Sequence, residues 1–460
     1  MATSLGGLLS IARSSLLTNQ SALGLVTGNT ANANTPGYAR RDVRLASLAA
    51  GSGVGISAVM RRTSPFLAQQ LLGAAGQLGA HQAKANGLTA IETSFGDDQY
   101  GLGARLDALF AGLRTLATDP ADGQLRNDVI ARGQAVCDSF SALSERFASQ
   151  RRSTDEGIGL DVEQVNQLAA EIARENDYIT ASAPNSDDRA SHQDTRDQLV
   201  GRLADLVEIS TIADDNGSLT VLLQGGNALV SGESAGRLRA TPDAALGGMR
   251  RIDLVDASGS ALDVTSMLRG GSIGGALELR DEILTDGATR IDQLAYDIAT
   301  SFNAVHSAGY GTDGATGRDF FTNPTQVTGA AASMTLAAGM RDNPAWVAGA
   351  SDAASAVGGG GNVLALIALA DANNAAGNTA TYGQEVASLV GDFGRMTKAE
   401  NDAAEGGSVR LEQVQALYDS DTGVSMDEEL IDLQKYERAY QAGARILSTV
   451  DQMYETLLRL

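Results

Sequence analysis

Both ends of the chain carry apolar residues in alternating steps of four and three, and no other feature limits the fold as strongly. This spacing lines the residues along one face of an α-helix and is typical of helices that pair. The N-terminal stripe contains Leu5, Leu9, Ala12, Leu16, Asn19, Leu23 and Val26. The C-terminal stripe contains Met426, Leu430, Leu433, Tyr440, Ala444, Leu447, Tyr454 and Leu458, and a second one contains Ile446, Val450, Met453, Leu457 and Leu460. Each end therefore needs a helical partner, either the other end or another copy of the chain.

A proline-glycine pair interrupts the N-terminal pattern in the stretch "NTANANTPGYARRDV", residues 29 to 43. Pro36 fixes φ near −65° and Gly37 tolerates a positive φ, so Thr35 to Tyr38 are suited to a type II turn. Proline also disfavours helical geometry at the residue before it. We therefore predict that the N-terminal helix ends before Pro36 and that the chain changes direction there.

The next part of the chain returns to helical spacing. The pattern predicts helices from Phe66 to Glu92, from Leu102 to Ala117 and from Asp122 to Thr180, with a break near Ser153. A further helical segment begins at His192. Together these segments predict a layer of long bundled helices.

The period falls to two from Glu208 onward, where short alternating runs such as "SLTVLL" and "RRIDLV" are separated by turn residues. This pattern predicts a small antiparallel β domain, roughly from Val207 to Leu268. Helical spacing returns at Ala276, and a region rich in glycine and alanine follows from Gly309 to Gly361.

The last helix has its own start signal. Ser425 followed by Glu428 predicts a capping box at its first turn.

The whole pattern predicts an α+β chain that is mainly α, elongated and multidomain. We expect a terminal coiled-coil-like domain from residues 1–62 and 424–460, a helical layer from 63–206 and 276–423, and an inserted β domain from 207–275.

Charge and hydropathy exclude several partners. The formal net charge is −22 and the positive residues are scattered, so we expect no binding to nucleic acid or to an anionic membrane surface. The longest wholly apolar run, Val363 to Ala370, is too short to cross a bilayer. The first fifteen residues lack a basic start and a continuous apolar core, so we expect no cleaved signal peptide.

Residues that could support catalysis are few and poorly arranged. Cys137 is the only cysteine, and the three histidines lie far apart without ligand spacing. Residues 309–314 match G-x-G-x-x-G, but they follow a helical pattern, so we interpret them as a glycine turn. We expect no enzyme activity, no cofactor and no metal. A secreted glycoside hydrolase that uses an acid pair such as Asp214 and Asp215, or an acidic surface adhesin, remains an alternative.

Both chain ends resemble the signatures of one protein family. "NTANANTPGYARRDV" is similar to the N-terminal signature of the bacterial flagellar axial proteins of rod, hook and hook-associated type, and "GVSMDEELIDLQKYERAYQAGARILSTVDQMYETLL" resembles their C-terminal one. Internal stretches such as "FNAVHSAGYGTDGATGRDFF" are most similar to the hook-associated members. A rod or hook protein remains the alternative within the family. The turn motif of the resemblance comprises Asn32, Asn34, Thr35, Pro36, Gly37 and Tyr38.

The resemblance implies a secreted structural subunit of the extracellular flagellum at the hook-filament junction, assembled at the distal end of the hook. It implies a ring-like or helical polymer of copies, contact with the hook protein and a second junction protein, and delivery by an export chaperone and the flagellar type III export apparatus. The N-terminal interface residues would be Leu5, Leu9, Leu16, Leu23 and Val26. The residues that would contact neighbours or the chaperone from the C-terminal helix are Leu430, Leu433, Tyr440, Leu447, Val450 and Leu458.

Overall fold

A computed structural model describes residues 5–48, 53–95, 101–184, 186–256 and 259–459. The chain is mainly helical, as its spacing predicts, with short antiparallel strands between the helices. The helices are α1 (Leu5–Asn32), α2 (Pro65–Glu92), α3 (Leu102–Leu116), α4 (Gly123–Ala181), α5 (Asp187–Leu206), α6 (Gly271–Glu278), α7 (Leu284–Ala308), α8 (Ala330–Ser333), α9 (Gly361–Ala368), α10 (Tyr382–Thr422) and α11 (Met426–Leu458). The strands are β1 (Arg41–Ser47), β2 (Val54–Arg61), β3 (Ile209–Ala213), β4 (Leu219–Leu223), β5 (Ala228–Ser231), β6 (Ser234–Ala235), β7 (Arg237–Pro242), β8 (Arg250–Val255) and β9 (Ala261–Asp263).

The two ends of the chain pair with each other. Helices α1 and α11 pack side by side and run in opposite directions, because Asn29 near the end of α1 bonds to Glu429 in the first turn of α11. Farther along, Gly443 of α11 lies against Leu16 of α1. We call these two helices the terminal pair. Leu460, which belongs to the second C-terminal stripe, lies outside the described residues.

A β-hairpin that the spacing did not predict follows the turn. Strands β1 and β2 pair in antiparallel register from Arg41 opposite Arg61 to Ser47 opposite Val54, with a bulge after Arg44. The hairpin lies against α1, where the Thr18 hydroxyl donates to the Val54 carbonyl over 2.8 Å. A two-stranded hairpin is marginal alone in water, so its packing on α1 stabilises it.

The helical layer packs around an aromatic core. Helix α2 lies against α10, and α3, α4, α7 and α9 complete the layer. Phe140, Phe147, Phe302 and Phe393 are among the fully buried side chains of this core. Proline at the first position of α2 fits a helix start, because its missing N–H needs no partner there. The predicted bounds of α2 and α3 agree with the structure to within one residue.

Helix α4 runs without interruption for 59 residues, so the predicted break near Ser153 is wrong. Polar residues near this point of α4 are used for tertiary contacts. The Asp155 carboxylate accepts from Arg250 and, over 2.6 Å, from the buried Arg280. Ile158 then enters a second apolar core. Tertiary packing therefore overrides the weak local helix signal.

The β insertion consists of two antiparallel sheets. Their strand orders are β3-β4-β5-β6 and β7-β8-β9, and both pack on the second half of α4. Gly217, Gly232 and Gly259 adopt positive φ in the hairpin turns, as glycine does most easily. Helical structure resumes at Gly271, five residues before the predicted start, and passes through a π-helical segment at Leu279–Ile283.

The glycine- and alanine-rich region is irregular but packed. Tyr310 bridges to Ala350, and the buried Phe321 bridges to Leu336. The G-x-G-x-x-G match is a turn that follows α7, in which the Gly311 N–H donates to the Ala315 carbonyl over 2.9 Å. The predicted glycine turn is confirmed.

Candidate assembly interface

The contact seam of the terminal pair differs from the predicted C-terminal stripe. On α11 the buried positions are Glu429, Tyr436, Gly443 and Val450, at seven-residue intervals. The buried positions of α1 include Ala12, Asn19 and Val26 at the same interval. Small and polar residues occupy much of this seam. The predicted N-terminal stripe includes Ala12, Asn19 and Val26, and the second C-terminal stripe includes Val450. On α11 the main apolar stripe instead selects residues beside the seam.

Nine of the eleven predicted interface residues are at least partly exposed to solvent. Leu430, Tyr440 and Leu458 are 52%, 40% and 86% exposed. Those that are half-buried are Leu5, Leu9, Leu16, Leu23, Leu433 and Leu447. Val26 and Val450 are buried inside the pair, so they contribute to the pairing of α1 with α11 and are not available to another copy.

Four of the half-buried leucines lie on one side of the terminal pair. Leu16 and Leu23 each follow a seam position of α1 by four residues, and Leu433 and Leu447 do the same on α11. In an antiparallel pair of helices this shared offset places the four side chains along the same side of the seam. We infer that these side chains form an apolar groove, which Leu430 and Leu458 would extend outward on α11.

The turn motif forms the predicted type II turn. The Tyr38 N–H donates to the Thr35 carbonyl over 3.2 Å, and Gly37 has a φ of +77°. Asn32 donates to the Gly28 carbonyl, and Thr35 donates to Asn32. Asn34, Thr35, Pro36 and Gly37 are exposed. The turn is anchored to α5, because the Gln198 side chain donates to the Pro36 carbonyl over 2.9 Å.

Asn29 has a larger structural role than any asparagine of the predicted motif. Its side-chain oxygen accepts from the Arg41 N–H and from the Tyr38 hydroxyl, and its amide donates to the Arg41 carbonyl and to Glu429. The signal for this role in the sequence is the group of three asparagines, Asn29, Asn32 and Asn34, just before the proline-glycine turn. Asn29 thus joins α1, the turn and α11.

Arg40 binds the start of α11. Its guanidinium donates to Glu429 over 2.6 Å, to Glu428 over 2.7 Å and to Asp432 over 3.3 Å. Ser425 does cap α11, but its side chain makes no capping hydrogen bond, so the predicted capping box is wrong. Glu428 turns to Arg40 instead of closing the box.

Arg41 and Arg61 bind α5, whereas Arg40 binds α11. Arg61 donates to Asp194 and to Asp197, each over 2.6 Å. Arg41 donates to Asp194 over 3.2 Å and to Asp187. Burial raises the pKa of Asp194 above its ordinary value, against the opposite effect of these arginines. The hairpin base therefore carries three buried arginines that contact two different elements.

Groups suited to catalysis are used for structure. Burial raises the pKa of the Cys137 thiol to about 12, so it remains protonated at neutral pH. The ring of His306 donates to the Arg318 carbonyl and accepts from the Ala348 N–H. The residues that the structure describes contain no group of histidine, cysteine and acidic side chains placed to hold a metal. None of the described helices combines the length and apolar character needed to cross a membrane.

Comparison with known proteins places these features in a family. The family model described as the flagellar hook-associated protein FlgK helical domain matches residues 88–321. A second model, the flagellar basal body rod FlgEFG protein C-terminal region, matches residues 417–460, which include α11. The first match covers the helical layer through the β insertion, and the second covers the C-terminal member of the terminal pair.

Similar proteins extend the match to the whole chain. Flagellar hook-associated protein 1 of Salmonella typhimurium is 26% identical, and the alignment covers 99% of this chain and all of that protein. The protein of the same name from Bacillus subtilis is 26% identical over 98% of this chain and 97% of its own length. The solved structure of the flagellar hook junction protein FlgK from Burkholderia pseudomallei has a similar fold, with a TM-score of 0.69 at 16% identity, covering 78% of this chain and all of that one. Because the FlgK model spans more than half of its length, the chain belongs to the flagellar hook-associated protein FlgK family.

Proposed function

We propose that this chain is a structural subunit of the hook-filament junction that assembles at the distal end of the hook through its terminal pair. In this proposal copies of the chain pack side by side in a ring or helical polymer, with the hook protein on one side and a second junction protein on the other. The subunit has no catalytic role. The membership in the FlgK family supports the location outside the cell, on the flagellum.

One observation carries the proposal, namely the apolar surface that the terminal pair leaves open. Leu430 and Leu458 extend a groove whose other residues are half-buried leucines of both helices. An exposed apolar surface on an acidic chain favours contact with another protein. Burial of this surface on assembly would offset the ordering entropy of the two helices. The same open face of α11 is the surface that an export chaperone would cover before assembly.

The first test is an in-frame deletion of the gene, followed by electron microscopy of the cells and measurement of flagellin in the medium. We expect hooks that end bare and flagellin that is released. Normal filaments on the deletion strain would contradict the proposal.

A second test addresses the interface itself. We expect Leu430→Glu combined with Leu458→Glu to give the deletion phenotype, because two charges in the groove cannot be buried without partners. Gln441→Glu is the matched control, since it adds a charge at an exposed position of the same helix outside the groove. Equal filament formation by both variants would show that the groove is not used.

The hydrolase alternative receives no support from its acid pair. Asp214 lies in the turn between β3 and β4, where it accepts from the Ser218 hydroxyl over 2.8 Å and bonds through its backbone to Gly217 and Ser218. Such a contact pattern is typical of an aspartate that stabilises a hairpin turn.

A further inference from the structure

Two adjacent arginines at the base of the hairpin point to different parts of the molecule. Arg40 contacts the first turns of α11, and Arg41 contacts α5. The backbone of Arg40 is also fixed, since its N–H donates to the Thr422 carbonyl over 2.9 Å and its carbonyl accepts from Arg62 over 2.8 Å. The two side chains therefore leave one short rigid segment in opposite directions.

The contact of Arg40 with Glu429 is formed between two buried groups. Arg40 is 6% exposed and Glu429 is 1% exposed. A buried charge that loses its partner is strongly destabilising, whereas a matched pair is tolerated. Withdrawal of α11 would take Glu428, Glu429 and Asp432 away from Arg40 together. Arg40 would then keep only the Asp42 carboxylate, at 3.5 Å, as an ionic partner among the described residues. Docking of α11 and burial of Arg40 must occur together.

Arg41 and Arg61 connect this event to α5. They stand opposite each other in the first register pair of the hairpin and both bind Asp194. Asn29 completes the connection, because its side chain bonds to Glu429 and to both backbone groups of Arg41. An unbroken chain of short contacts thus runs from α11 through the hairpin base to α5.

We propose that the hairpin base couples docking of α11 to the seating of the hairpin on α5, with Arg40 and Glu429 as the positioning residues. When α11 is withdrawn, Arg40 moves to water and carries the hairpin base with it, so the bonds of Arg41 and Arg61 to Asp194 weaken. The relevance of this coupling to assembly rests on the proposed function, since only there does α11 meet its neighbours. The coupling itself is a property of one chain.

The test is amide hydrogen exchange of the purified full-length protein, read by mass spectrometry over three regions: α11, the hairpin (41–61) and α5. We expect Glu429→Gln to increase exchange by about tenfold or more in all three, although Glu429 itself touches neither strand pairing nor α5. Glu437→Gln is the control, because Glu437 is exposed on the same helix and forms no ion pair among the described residues. We expect it to leave all three regions within about twofold of the parent protein.

A double variant separates buried charge from loss of packing. We expect Arg40→Met with Glu429→Met to return hairpin and α5 exchange to within about threefold of the parent, because no unpaired charge then remains. Increased exchange confined to α11 in Glu429→Gln would overturn the proposal, as would a double variant that exchanges as fast as the single one. The proposed function fails separately, through normal filaments on the deletion strain.

Discussion

The terminal pair and the rest of the molecule are stabilised in opposite ways. Among the described residues, the pair has one small apolar cluster of Ala22, Val26 and Tyr436, and Ala12 and Val450 are buried apart from it. The helical layer instead encloses a continuous cluster that includes Phe140 and Phe393. The described residues of α11 after Val450 are all exposed. What the pair lacks in apolar burial it replaces by buried ionic contacts at its base. The rest of the molecule, which we call the body, thus buries its apolar side chains within one chain. The terminal pair leaves many of its apolar side chains exposed, where a partner could cover them.

Removal of a large core side chain gives the largest contrast. Phe393→Ala should lower the free energy of unfolding of the body by about 3–5 kcal/mol, because it leaves a cavity beside Phe147 and Phe95. Tyr454→Ala, at an exposed position of α11, should cost less than about 0.5 kcal/mol. Urea unfolding of both variants measures the two changes in the free energy of unfolding. If the two variants lost similar amounts of unfolding free energy, the terminal pair and the body would not differ in apolar packing as described.

Acid should weaken the body through His306. Burial lowers the pKa of His306 to about 4, while the unfolded chain binds this proton near its ordinary pKa of 6.5. The contribution of neutral His306 to the free energy of unfolding is therefore complete above pH 6.5. It is lost as the pH falls toward 4, by about 3 kcal/mol in total. Urea unfolding of the parent and of His306→Asn at pH 7.5 and pH 4.5 isolates the effect. A parallel pH dependence of the two proteins would contradict it.

Two helical glycines, one in the body and one in the terminal pair, extend the comparison. Replacement by alanine should lower stability at the first and raise it at the second. A Cβ at Gly287 would lie 2.5 Å from the Phe147 ring and 2.7 Å from that of Phe393, so Gly287→Ala should destabilise the body by about 1–3 kcal/mol. A Cβ at Gly443 meets Leu16 at 3.4 Å, an ordinary contact. Gly443→Ala should therefore stabilise α11 by about 0.5–1 kcal/mol through helix propensity.

The two glycine variants need different measurements. Thermal unfolding reports the loss for Gly287→Ala, and hydrogen exchange of α11 reports the gain for Gly443→Ala. Faster exchange in Gly443→Ala would show that the seam is packed as tightly as the body core.

Elements with strong periodicity could be predicted from the sequence, and those set by distant partners could not. The bounds of α2 and α3 and most strands followed from spacing and turn residues. The continuity of α4 could not be foreseen, because it depends on Arg250 and Arg280 meeting Asp155 from far along the chain. The hairpin after the turn was missed although Val43 and Leu45 alternate with polar residues, since the runs are short.

The candidate interface shows the same limit. Apolar spacing identified both terminal helices, but it cannot tell which face of a helix is turned toward its partner. Glu429 lies in the seam because it pairs with Arg40, and Gly443 lies there against Leu16. Neither residue would be chosen by hydrophobicity.

The uninterrupted course of α4 has a mechanical consequence. At 1.5 Å per residue its 59 residues form a rod about 90 Å long, with the aromatic core along one half and the β sheets along the other. A force applied to the sheets is transmitted along this single beam to the aromatic core without passing a loop. The bending stiffness of α4, shared with the helices packed on it, therefore sets how far the sheets deflect under such a force.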